Sequence, residues 1–285
     1  TGCGKTLANA RIMNALADPS RGLRCAFALG LRTLTLQTGR AFRDELQLSD
    51  DALAIRVGGA ANRELFEHYE QLTEQSGSAS TQSLLPEDAG VVFEGNTDHP
   101  LLQRLSHDPR VHALIAAPLL VCTIDHLTPA TESQRGGGQI APMLRLMSGD
   151  LVLDEPDDFD IDDLPALARL VHWAGLLGSR VLLSSATLPP ALVQGLFEAY
   201  LDGRRWFQRN RGERSGTAPK VCCMWVDEFD QTRHDCGEDD AFATHHLVFA
   251  QRRHVRLAKE DARRRAELLP LSLAGKAHDV LRPTM

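Results

Sequence analysis

The sequence predicts an α/β fold: a mostly parallel sheet with helices on both faces. Three observations carry that prediction. Short apolar runs alternate along the chain with helix-length amphipathic stretches, the pattern of successive β-α-β units. Two of the runs, residues 151–153 and 181–183, are continuously apolar, as strands buried on both faces must be. These two deliver Asp154-Glu155 and Ser185-Ala186-Thr187 to strand ends, and open parallel sheets bind ligands beyond the carboxyl ends of their strands.

The chain opens Thr1-Gly2-Cys3-Gly4-Lys5-Thr6. This is the second half of the phosphate-binding loop G-x-x-x-x-G-K-[ST], whose first glycine would lie before residue 1. A chain that starts inside a loop, without Met, reads as part of a longer protein, so the fold is expected to be incomplete at the N-terminus. Residues 6–16 should form the helix that follows such a loop, its partial positive charge beneath the phosphates. Residues 24–29 predict a strand. Residues 32–36 predict another, ending at Gln37-Thr38-Gly39 and followed by a helix over 40–46. Residues 52–57 predict a further strand.

From residue 58 to 98 the periodicity weakens. Residues 64–75 are helical in pattern and 75–83 have loop composition, so 58–112 reads as an insertion on the sheet edge. Residues 111–124 hold a strand in which Leu119-Leu120-Val121-Cys122 leads to Thr123-Ile124-Asp125-His126. Gly136-Gly137-Gly138 predicts a flexible joint before a helix over 140–147. The amphipathic stretch 164–177 predicts the helix joining the two strands of the acidic and hydroxyl motifs. Pro189-Pro190 opens a helix over 188–201, as a first turn tolerates. Residues 221–226 predict a last strand. Residues 208–219 and 230–239 read as polar connectors, and 240–269 as a long helix with Arg252, Arg253, Arg263, Arg264 and Arg265 toward its end. The division follows: 1–228 a nucleotide-binding domain, 229–285 a linker and the start of a second unit.

Composition narrows the function classes. With 285 residues the chain holds one large or two ordinary domains. A hydrophobic share of 43% with only 5% aromatics implies an aliphatic core. The net charge of −7 argues against a protein that simply coats DNA, though not against a motor gripping a backbone through a few contacts. No stretch approaches the ~18 consecutive apolar residues of a membrane span, and no signal-peptide pattern is seen. Cys3, Cys25, Cys122, Cys222, Cys223 and Cys236 form no C-x-x-C pair and so give no zinc pattern. Reduced thiols in a cytoplasm are the simplest reading.

The motifs assign roles. Backbone N–H groups of Gly2, Cys3, Gly4 and Lys5 would cradle phosphate oxygens of ATP, where glycine permits close approach. Lys5 would pair with the β- and γ-phosphates, and the Thr6 hydroxyl would ligate Mg²⁺. Asp154 would hold the Mg²⁺ and Glu155 would orient or deprotonate the attacking water. A solvated acidic turn is the bland alternative, since seven acids lie between Asp154 and Asp163 inclusive. Delivery by an apolar strand favours the catalytic reading. Ser185 and Thr187 either couple nucleotide state to motion or cap the next helix. Asp158, Asp160 and Asp162 have calcium-loop spacing, but Asp163 and Arg169 stand where that loop needs Gly and an acid. The extra acids are expected to cap the helix at 164. The dipeptides His107-Asp108, His234-Asp235 and His278-Asp279 lack the companions of a metal-dependent nuclease.

Gly2 to Thr6, Asp154-Glu155-Pro156-Asp157 and Ser185-Ala186-Thr187 resemble the first three motifs of superfamily 2 helicases. Residues 121–127, 150–159 and 180–189 more specifically resemble the CRISPR-associated helicase–nuclease of type I-F. The resemblance implies a RecA-like motor domain, the first of two. It implies an ATP-driven 3′-to-5′ translocase on single-stranded DNA, recruited by an RNA-guided surveillance complex and coupled to an HD nuclease. It also implies association with the spacer integrase, and a second motor domain that supplies an arginine finger. By the same resemblance Gln37, Thr38, Gly39 and Arg40, with Thr123, Asp125 and His126, fall where such motors touch the DNA backbone. Two other readings stay open: a nucleotide-dependent docking module without unwinding, and another superfamily 2 motor such as a restriction translocase.

Overall fold

A computed structural model describes residues 4–57, 91–92, 95, 97, 100–105, 108–132, 137–212 and 216–260. The sheet expected from the sequence is there. Its strands are β1 (Cys25–Leu29), β2 (Leu53–Arg56), β3 (Val91–Val92), β4 (Leu119–Thr123), β5 (Asp150–Asp154) and β6 (Val181–Ser184). They run in the order β3-β2-β4-β1-β5-β6. All neighbours pair parallel except the short edge strand β3, which is antiparallel to β2.

Register decides what sits together. Leu29 pairs with Thr123 on one side and Asp154 on the other, and Asp154 pairs with Ser184. Four strands therefore end at one level, and residues far apart in sequence share one rim.

Side chains alternate between two cores. Phe27, Leu29, Val121 and Val152 face one layer, with Met13 of α1 (Lys5–Leu16) and Phe42 of α2 (Arg32–Glu45). Ala26, Ala28, Leu120, Leu151 and Leu153 face the other. That layer is built by α4 (Pro109–Ala116), α5 (Ile140–Ser148), α6 (Leu164–Leu177) and the start of α7 (Pro190–Arg211). A short helix, α3 (Pro100–Leu105), precedes α4. Helices α6 and α7 approach closely because Gly203 has no side chain: a Cβ there would lie 2.1 Å from the His172 carbonyl oxygen. Arg145, 1% exposed, donates to the carbonyls of Ala117, Cys25 and Pro118, tying α5 to two strand entries.

Several local expectations change. Residues 32–36 are not a strand but the start of α2, one continuous helix. Its buried positions are Thr35, Thr38, Gly39 and Phe42, the i, i+3, i+4, i+7 rhythm of a helix face. Three of the four are polar or small, so an apolar scan sees only the alternation of Leu34 and Leu36. Helix α7 extends ten residues past 201, to Arg211. Residues 231–236, expected as connector, form β8 (Gln231–Cys236), antiparallel to β7 (Val221–Val226) in a separate two-stranded ribbon. Asp163 occupies the N-cap of α6 without a side-chain cap bond, so the expected acidic capping is absent there.

The ribbon packs on α7 and on α8 (Asp239–Leu257) through Val193, Phe197, Trp225, Cys236, Phe242 and Phe249. The division drawn after residue 228 falls in the β7–β8 turn, and both sides share this cluster. Helix α8 ends at Leu257, short of the expected 269. The readings for 64–83, for Gly136 and for Arg263 to Arg265 lie outside the described residues, as does most of the expected insertion 58–112.

Candidate functional site

Gly4 carries the chain into α1 in the left-handed conformation, φ 72°. Only a residue without Cβ adopts this readily. Gly2 and Cys3, expected in the phosphate cradle, lie outside the described residues. Lys5 begins α1, and its ammonium forms an ion pair with the Glu155 carboxylate. The expected phosphate lysine and the expected water-activating acid, 150 positions apart, are therefore in direct contact. Thr6 follows, half-buried on the same first turn.

One turn on, Asn9 faces the same way and is 4% exposed. Its amide donates to Asp154 at 3.4 Å. Asp154 is 7% exposed. Burial pushes its pKa up, and the charge of Glu155 adds to that; a hydrogen bond from Ser184, the Lys5 charge and Asn9 oppose it. A carboxylate destabilised by burial is poised to gain from a cation.

Glu155 leaves β5 with φ 52°, one of two non-glycine residues with positive φ among those described. That conformation costs on the order of 1–2 kcal/mol for a residue bearing Cβ. Its N–H is held by the Ser184 carbonyl at 2.7 Å. The strained turn redirects the chain, so that Asp154 stays buried while Glu155 projects toward Lys5.

The hydroxyl motif closes the other side. The Thr187 hydroxyl donates to Asp157 at 2.6 Å, and the Thr187 N–H donates to the Ser185 oxygen at 3.1 Å. Burial works to raise the Asp157 pKa, but hydrogen bonds from Ser185 and Thr187 outweigh it, leaving the carboxyl below its ordinary value. Asp158, beside Glu155 and Asp157, is shifted up, first by burial and then by those two charges.

The remaining expected contacts divide. Thr123 stands at the end of β4 on the common rim, 1% exposed, its hydroxyl without a partner among the described residues. Asp125 is exposed and His126 half-buried in the following 3-10 turn. Gln37 to Arg40 are elsewhere, partway down α2. Gln37 is exposed and Arg40 half-buried, whereas Thr38 is 5% exposed and Gly39 faces the sheet. A Cβ on Gly39 would lie 2.5 Å from Ile55 Cδ1, which accounts for glycine there by packing alone.

Two residues of the site were not singled out from the sequence. Asn9 carried a signal, four positions after Lys5 on one helix face. Asp157 was visible within the acidic motif, but its partner Thr187 is set by register.

The donor set fits a magnesium–nucleotide. It offers an ammonium, a helix N-terminus, a hydroxyl and two carboxylates. Among the described residues no group of three or more His, Cys, Asp or Glu could hold a metal by itself. Magnesium is commonly held by one or two carboxylates together with substrate phosphates. No described helix is long and apolar enough to cross a membrane.

No family model matches the chain. Two curated relatives match nearly all of it. One, from Pseudomonas aeruginosa (strain UCBPP-PA14), is 58% identical over 282 residues, 99% of this chain and 26% of its own length. The other, from Pectobacterium atrosepticum, is 51% identical over 287 residues, 98% of this chain and 26% of its own length. Both carry the name CRISPR-associated nuclease/helicase Cas3 subtype I-F/YPEST. The chain thus spans about a quarter of the relatives it matches. A crystal structure of T. fusca Cas3 shares the fold, with a TM-score of 0.50 at 21% identity, covering 82% of this chain and 23% of that one. The resemblance drawn from the motifs is borne out: over nearly its whole length the chain is similar to part of the type I-F CRISPR-associated nuclease/helicases.

Proposed function

We propose that this chain, similar over nearly its whole length to part of the type I-F CRISPR-associated nuclease/helicases, is the ATP-binding half of a single-stranded DNA translocase. In the longer protein the motor would act with an HD nuclease, a surveillance complex and the spacer integrase. Residues 1–228 are read as the first motor domain, with 58–112 inserted at its edge, and 229–285 as the passage to a second. A cytoplasmic setting follows from that role.

The carrying observation is the Lys5–Glu155 ion pair above the buried Asp154. It joins the two halves of a nucleotide site across the sheet rim. Phosphate oxygens compete with the Glu155 carboxylate for the Lys5 ammonium. When Lys5 turns to phosphate, Glu155 loses its countercharge and becomes the free base beside the reacting centre. It can then orient a water and accept its proton. Asp154 and the Thr6 hydroxyl would hold magnesium, which neutralises charge on the phosphates. Thr187 and Ser185 hold Asp157 and so tie β6 to the turn that carries Glu155.

The test is ATP turnover by the full-length protein with and without single-stranded DNA. Stimulation by DNA that is lost in Lys5→Ala supports the proposal. Nucleotide binding with no DNA-dependent turnover would indicate a docking module instead. The 285-residue chain by itself should turn ATP over slowly, since an arginine finger from a second domain contributes about 10³–10⁵ in rate; fast turnover would remove the need for that domain.

A further inference from the structure

The last turns of α7 carry a surface that nucleotide chemistry does not use. Between Gly203 and Gly212 the chain reads Arg204-Arg205-Trp206-Phe207-Gln208-Arg209-Asn210-Arg211, four arginines and no acid, in a chain of net charge −7. Trp206 is 44% exposed. The Arg209 guanidinium lies over its ring at 4.7 Å, and Arg204 lies over Phe207 at 4.2 Å. Arg205, Arg209, Asn210 and Arg211 are exposed. Positions 205, 206, 209 and 210 fall within an arc of about 140° of the helix surface, with 205/209 and 206/210 stacked one turn apart.

The fold puts this face away from the nucleotide rim. Helix α7 leaves the carboxyl end of β6 and runs back along the sheet. Phe207 lies against Gly178, in the turn where α6 passes into β6. The patch is therefore at the edge where the strands begin, opposite the row of Thr123, Leu29, Asp154 and Ser184.

Arg209 and Arg211 complement the negative end of the helix dipole. That accounts for neither Arg205 nor the exposed indole. An aromatic face set among guanidiniums matches a single nucleic-acid strand, whose bases stack on the ring while its phosphates meet the cations. A duplex hides the faces of its bases. An acidic peptide would use the arginines but leave the indole idle.

We infer that the Arg205–Trp206–Arg209 face of α7 is a second single-strand contact, separate from the one expected at the strand ends. It holds the phosphates of a few nucleotides and stacks one base on Trp206. It does not depend on nucleotide hydrolysis at Lys5.

The test uses the full-length protein and an oligothymidylate of about 12 nucleotides carrying 5-iodouracil, a length within the usual range of single-strand sites. Photocross-linking followed by peptide mass spectrometry should give an adduct at Trp206, with or without ATP. The variant R205Q/R209Q should lower that adduct about tenfold and leave adducts at the strand-end site unchanged. Two lost phosphate contacts should also flatten the slope of log affinity against log salt by about 1.4. An oligouridylate probe that cross-links more strongly would assign the face to RNA strands and leave the single-strand assignment standing. Absence of a Trp206 adduct overturns the inference, as does an adduct insensitive to the two substitutions. Displacement of the adduct by polyglutamate as effectively as by unlabelled oligothymidylate would also overturn it, marking the face as a dock for acidic protein.

Discussion

Thr187 and Asp157 lie 30 positions apart and meet at 2.6 Å. The contact joins the chain leaving β6 to the chain leaving β5. A hydroxyl-to-carboxylate bond of this kind is worth about 1.5–3 kcal/mol when protected, and less with both residues accessible. It is thus strong enough to transmit a shift and weak enough to break in a working cycle. Thr187→Val in the full-length protein should keep ATP binding within about twofold and cut unwinding about tenfold, a coupling loss of about 1.4 kcal/mol. Thr187→Ser should restore it. ATPase and strand-displacement assays run side by side check this; unwinding unchanged in Thr187→Val would detach the contact from coupling.

The Lys5–Glu155 pair predicts an asymmetry. Glu155→Gln removes the partner that competes with phosphate for Lys5, so nucleotide affinity should hold or rise. Hydrolysis should fall by about 10²–10⁴, the usual contribution of a positioned base. Lys5→Ala should lose nucleotide binding outright. Equilibrium binding of a fluorescent nucleotide and steady-state ATPase separate the two effects. Equal loss of binding in both variants would contradict the assigned roles.

Gly39 makes a structural prediction. Gly39→Val would drive branched carbons into Ile55, whose Cδ1 is already 2.5 Å from the position of a Cβ. Overpacking of this kind costs about 1–3 kcal/mol. Thermal unfolding should show the loss, and Ile55→Ala in the same chain should recover part of it. A Gly39→Val protein of unchanged stability but weakened DNA binding would return Gly39 to the DNA-contact set.

His246 predicts a pH dependence. Trp225 donates its indole N–H to His246 Nδ1 at 3.1 Å, which requires that nitrogen unprotonated. Burial lowers the His246 pKa below its ordinary 6.5. The unfolded chain therefore binds a proton more readily than the folded one. The stabilisation is complete above pH 6.5 and is lost as pH falls from there through the lowered pKa. Unfolding of wild type should ease on going from about pH 7.5 to 5.5, and His246→Gln should flatten that trend. Parallel pH trends in the two proteins would refute the role of His246.

The sheet strands were legible because burial on both faces leaves a continuous apolar run, as in residues 151–153. The site acids were legible because they follow such a run directly. Helix α2 was misread at its start because its buried face is built from Thr35, Thr38 and Gly39, which carry no hydrophobic signal. Strand β8 was missed because Gln231 to Asp235 are polar, and only pairing with β7 gives them strand form.

By itself the sequence determined the fold class, the glycine that leads into α1, and the identity of the acids and hydroxyls at two strand ends. These are local properties: periodicity, glycine placement and residue chemistry act within a few positions. Only the tertiary structure decided which of them meet. Parallel register sets Leu29, Thr123, Asp154 and Ser184 at one level, the left-handed turn at Glu155 aims it at Lys5, and the pairing of β5 with β6 brings Thr187 to Asp157. Those contacts span 30 to 150 positions, and no local pattern encodes a separation of that length. It is fixed by how the helices pack the strands into one sheet.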